Sequence, residues 1–158
     1  MKKQSNLNTI LQKIVTDCYQ QGCDYLGIIP YKKVIFKGFY NKKLLQEIIT
    51  NEEIKINLQI TNEKLFTRYV HDLPEETAGS TWPLNKESWI TPNSSYENIA
   101  DFLESLLHET AHAVYFNVNL EEGHSEQHKK LTKHLISYFH KNYNKKDLEK
   151  ILENCHEN

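Results

Sequence analysis

The stretch "LLHETAHAVYFNVNLEEGHSEQH", residues 106–128, organises the reading of this chain. It opens with His-Glu-x-x-His and closes with Gly-His-x-x-x-His. In an α-helix, positions four apart stack on one face, so His108 and His112 can present two imidazole nitrogens to one ion about 2.0–2.1 Å away. Glu109 lies about 100° round the helix from His108, within reach of a water at the same ion without being a ligand. Two ligands and a general base at these spacings match the demands of a zinc hydrolase.

The flanks make this stretch helical. Ser94 and Glu97 form a capping box after Pro92, and Ile99, Leu103, Leu106, Leu107 and Val114 form an apolar stripe that carries a helix through the motif. A further helix is predicted from about His124 to His140, with Leu131, Leu135, Ile136 and Phe139 inward, and a short last one over "KKDLEKILENC".

Upstream, Leu7, Ile10, Leu11, Ile14, Val15 and Cys18 recur at helical spacing, with Gly22 as the stop signal. "YLGIIP" (25–30) and "KVIFKGFY" (33–40) read as strands, followed by a short helix over 43–51. "IKINLQI" (54–60) alternates apolar and polar residues as a half-buried strand does. "FTRYV" (66–70) and "SWITPN" (88–93) read as two more extended pieces, joined by the loop or hairpin connection "DLPEETAGSTWPLNKE" (72–87). The plan is α+β: an N-terminal helix, a small mixed or antiparallel sheet, a zincin-type active-site helix, then C-terminal helices.

Length and composition agree with one domain over residues 1–158, large enough to bury most of its apolar surface. Lys+Arg is 19 against Asp+Glu 21, so a net charge of −2 offers no general attraction to nucleic acid or anionic membrane. The three cysteines, Cys18, Cys23 and Cys155, contain no C-x-x-C pair, which fits a reducing compartment and excludes a cysteine zinc ribbon. No apolar run approaches the length of a membrane span, and the expectation is a cytoplasmic protein.

A catalytic zinc site wants a third protein ligand and an open position. Val118 and Tyr115 occupy the places where metzincins carry histidine and glycine, which excludes that group. The candidates are His124, His128, Glu121, Glu122 and Glu126. Glu126 would make a His-His-Glu site, whereas Gly123 can turn the chain sharply and return His124 to the cleft, and His124 is the preferred third ligand. His128, one turn on, could support a ligand, donate to a developing oxyanion or lie at the surface; it is assigned to the surface. His71, His134, His140 and His156 have no partner spacing and are assigned structural or solvated roles.

With "GSTWPLNKESWITPN" ahead of "LLHETAHAVYFNVNLEEGHSEQH", the chain from about Ala78 to His128 resembles the SprT-like zinc metallopeptidase domain, the class that includes Spartan. The resemblance implies zinc on His108, His112 and His124, Glu109 as general base, and a protein or peptide substrate. Family members commonly carry Gly-His-Gly followed two residues later by an aromatic, and here Ser125 and His128 hold those places. Members that cut DNA-crosslinked proteins usually add a zinc ribbon or basic element. This chain has only the run Lys129, Lys130, Lys133, Lys141, Lys145, Lys146 and Lys150, read as a solvated helix face, so DNA is not a favoured partner. The expectation is a zinc metalloendopeptidase. The alternatives are a toxin or defence-type protease of a mobile element, and a zinc-stabilised binding module in which His128 closes the fourth position.

Overall fold

The computed structural model describes residues 2–118 and 125–156. Its architecture is α+β: α1 (Lys2–Leu26), β1 (Lys33–Phe36), α2 (Lys42–Ile49), α3 (Glu52–Asn57), α4 (Glu63–Glu76), β2 (Gly79–Pro83), β3 (Glu87–Pro92), α5 (Ile99–Tyr115), α6 (Glu126–Asn142) and α7 (Lys145–His156). The three-stranded sheet has the order β1-β3-β2, with β1 parallel and β2 antiparallel to β3.

The sheet separates two cores. Side chains alternate across a strand, so Ile90 faces one side with Val34 and Phe36, against Leu11, Val15, Leu107 and Leu135 of α1, α5 and α6. Trp89 faces the other side and pairs across the strands with Trp82, over Leu45, Ile48, Ile54, Phe66 and Val70 of α2, α3 and α4. β3 is covered on both faces, which buries the polar Ser88 and Thr91 along with Trp89 and Ile90.

α1 continues past Gly22, which is a packing site rather than a stop. A Cβ there would stand 2.9 Å from Val114 Cγ2 and 3.5 Å from Leu131 Cδ1 and Leu135 Cδ2, so its absence lets α1 approach α5 and α6. The helix ends at Gly27, whose φ of +69° is left-handed, with Ile28 N–H donating to Cys23 O (2.9 Å) and Gly27 N–H to Asp24 O (3.2 Å). The expected strand at 25–30 is therefore the helix end and its exit turn. The strand expected over 33–40 is confined to β1.

Two other expected strands are helices. Asn51 caps α3 by accepting from Ile54 N–H (3.0 Å), and Asn62 caps α4 by accepting from Leu65 N–H (3.0 Å). The alternation over 54–60 does not mark a buried face, because Ile54 is fully buried while Ile56 is 71% exposed. In α4 the buried residues Phe66, Val70 and Leu73 follow helical spacing, and Pro74 falls in the last turn. Conversely, "GSTWP" inside the expected loop forms β2.

α5 begins later than the Ser94–Glu97 box implies, because Asn98 caps it by accepting from Asp101 N–H (3.0 Å). Its C-terminal end is tied down by Asn117. The Asn117 carboxamide accepts from the N–H groups of Tyr31 (3.2 Å) and Lys32 (3.1 Å) and donates to Tyr19 Oη (2.8 Å) and Val114 O (3.1 Å). One buried amide thus binds the end of the histidine helix to α1 and to the approach to β1.

Burial raises the Cys18 thiol from its ordinary 9.0 to about 12, with the Asp17 charge adding to it, and raises Cys23 to about 11. The folded protein keeps both protonated while the unfolded chain ionises above pH 9, so the unfolded state binds fewer protons there. Stability should be undiminished by these groups below pH 9 and fall as pH rises toward 11–12. Denaturant titrations at pH 8 and pH 10 check this, and thiol labelling at pH 8 should modify neither cysteine until denaturant is added.

Candidate metal centre

α5 delivers His108, Glu109 and His112, and the first turn of α6 delivers His128. The Ser125 side chain caps α6 by accepting from His128 N–H (3.1 Å), which fixes that turn where it packs on α5. His108, His112 and His128 form a cluster whose candidate ligand atoms all lie within 4.8 Å of one another. Ring centroids stand 4.8 Å apart for His108–His112, 4.4 Å for His108–His128 and 3.9 Å for His112–His128.

The donor set fits a metal. His108 Nε2 and His112 Nε2 are 3.2 Å apart. Two ligands of a tetrahedral zinc, each about 2.0–2.1 Å from the ion, stand about 3.3–3.4 Å apart, so the helical pair needs almost no adjustment. His128 Nε2 lies 3.0 Å from the backbone carbonyl of His108. A carbonyl only accepts, so Nε2 is the donor there, and in the neutral ring Nδ1 carries the lone pair.

His128 is 1% exposed, which corrects its assignment to the surface. His124 lies outside the described residues, as do Glu121, Glu122 and Gly123. Glu126 points away: its side chain is 82% exposed and pairs with Lys129 at 3.6 Å. His71 and His140 are exposed, and His134 stacks on Tyr25 with ring centroids 3.8 Å apart. Lys129, Lys130 and Lys133 are exposed on α6.

Glu109 is 7% exposed. The Thr81 hydroxyl on β2 lies 2.7 Å from Glu109 Oε1 and 3.0 Å from Glu109 O. Glu109, His108 and His112 line one cleft of about 730 Å³, whose other wall includes Gly79 and Thr81 of β2 and Tyr69 of α4. Two phenols feel the carboxylate. Burial raises Tyr40 above its ordinary value, opposed by its bond to Ser80 (3.0 Å) and reinforced by the Glu109 charge; burial and then Glu109 do the same for Tyr69. Both stay protonated around neutral pH.

No family model matches the chain, and no curated protein or solved structure matches it. Among the described residues, no helix is long and apolar enough to cross a membrane. The centre therefore rests on its own geometry. Spacing alone did not point to Thr81, Gly79 and Tyr69: Gly79 and Thr81 are set beside Glu109 by the pairing of β2 with β3, in five residues that resemble a loop, and Tyr69 reaches the cleft from α4.

Proposed function

We propose that the protein is a zinc metallopeptidase that hydrolyses peptide bonds in protein substrates, of the kind the SprT resemblance implies. The observation that carries the reading is that His108 and His112, which cluster with the buried His128, line one cleft together with the buried carboxylate of Glu109. His108 and His112 would hold the ion, with His128 or His124 as the third ligand. Zinc bound there would supply Lewis acidity toward a carbonyl oxygen and toward water. Glu109 would take a proton from the attacking water and pass it to the leaving amine nitrogen.

The sheet edge supports a polypeptide substrate. β3 is the central strand and has no free edge, whereas β2 occupies an outer position beside the cleft. An extended chain laid along β2 can pair with its outward backbone groups while the scissile bond faces Glu109.

The burial of His128 within the cluster favours a second reading. If His124 joins the three clustered histidines, four imidazoles would close a tetrahedral site and leave no open position, as in structural zinc centres. The protein would then be a zinc-stabilised binding module.

Stripping the metal with a chelator and restoring it separates these readings. For the peptidase, cleavage of an unfolded protein such as reduced casein should stop in the metal-free protein and return with about one equivalent of zinc. Zinc that raises the unfolding temperature without producing cleavage over a broad substrate panel supports the binding module instead. Cleavage indifferent to chelation overturns the metallopeptidase.

A further inference from the structure

We propose that β2 is the positioning element for the Glu109 carboxylate: Thr81 fixes its oxygen and Gly79 makes room for its methylenes. The proposal rests on Glu109 being the base. Gly79 and Thr81 are two apart in an extended strand, so they share a face, and that face meets α5. At Gly79 a Cβ would stand 3.3 Å from Glu109 Cγ and 3.3 Å from Pro92 Cα, so any larger residue would press the glutamate stem against the β2–β3 backbone. At Thr81 the hydroxyl has one proton and two acceptors on the same residue. The shorter contact, 2.7 Å, is to the carboxylate, and a bond to a charged acceptor is the stronger.

The threonine is suited to this role. Its β-branched side chain has few χ1 choices in a strand, so the direction of the hydroxyl is set by the backbone rather than by a floppy side chain. The backbone is set in turn by the pairing of Thr81 with Ile90, which is fully buried in the sheet. Glu109 is thus gripped from a second element, and its placement is not left to the rotamer preferences of α5. A carboxylate that must reach a water and then an amine nitrogen gains from such fixation, since misplacement of about 1 Å can cost on the order of 100-fold in rate. Thr81 touches neither reacting atom and acts through Glu109.

The test compares Thr81→Val, which keeps the shape and loses the hydroxyl, with Thr81→Ser, which keeps the hydroxyl. Thr81→Val should lower kcat by roughly 10- to 100-fold with KM changed less than about twofold and zinc content unchanged. Thr81→Ser should recover most of the loss, and Thr81→Val should add nothing in a Glu109→Gln background. A Thr81→Val enzyme with wild-type kcat, beside an inactive Glu109→Gln, overturns the proposal while leaving the peptidase standing. If the wild type cleaves nothing, the peptidase reading fails by itself, and unfolding of the metal-free protein decides the contact. The midpoint losses of Thr81→Val and Glu109→Ala should then be non-additive, the double variant losing less than the sum of the two. Additive losses overturn the contact.

Discussion

His112→Ala should fold and yet lose zinc, with affinity falling by at least about 100-fold. The wild-type pair already holds its two Nε2 atoms 3.2 Å apart, so deleting one imidazole removes half of a preformed clamp with little reorganisation to recover it. His108→Ala should do the same. His128→Ala is the informative case: its ring lies in the cluster, and its Nε2–H donates to the His108 carbonyl. If His128 only orients the other two, the loss should be about 10- to 100-fold, the usual scale for a group supporting a ligand. If it is the third ligand, the loss should match that of His112→Ala. Titration of each variant with zinc against a competing chelator reads this directly, with His124→Ala beside it. Loss of metal in His124→Ala but not in His128→Ala would put His124 in the ligand set and leave His128 as its support. Glu126→Ala should change nothing, because its carboxylate is in solvent with Lys129.

The ease of reading the centre from the sequence followed the distance over which its signals act. His108, Glu109 and His112 belong to one helix turn, and helical periodicity alone puts them together. β3 was legible from Trp89 and Ile90 beside the turn residues that bound it, and α1 because its stripe spans several turns. The failures are equally local in origin. The residues of "IKINLQI" alternate, but the alternation reflects exposed Ile56 between Ile54 and the helix end, and the decisive residue is Asn51, whose cap turns the backbone into a helix. Asn62 caps α4 in the same way, and Asn98 sets the start of α5. Gly22 looked like a stop because glycine ends helices, whereas its role appears only when α5 and α6 are packed on α1. The burial of His128 is of this kind too. It depends on Ser125 starting α6 at the residue that turns position 128 toward α5. Such contacts between elements cannot be read from spacing within one element.

Glu109→Gln should separate binding from turnover more sharply than any other change. The carboxylate belongs to none of the clustered imidazoles, so the variant should still take up about one zinc per chain with affinity near that of wild type. Glutamine is almost the same shape, and its carbonyl oxygen can still accept from the Thr81 hydroxyl, 2.7 Å from Oε1 in the wild type, so the side chain should keep its place between β2 and α5. What it loses is the capacity to take a proton from water and hand it on to the departing amine. General acid–base groups contribute roughly 100- to 10,000-fold, and the rate should fall within that range with KM little changed. Glu109→Asp is the companion. It retains the base but shortens the stem by one methylene, withdrawing the carboxylate from both Thr81 and the cleft, and should fall between glutamine and wild type. Cleavage by Glu109→Gln at the wild-type rate would overturn Glu109 as the base. Loss of zinc together with activity would mean instead that the carboxylate is itself a ligand, and the site would then be built on His108, Glu109 and His112 rather than on three imidazoles.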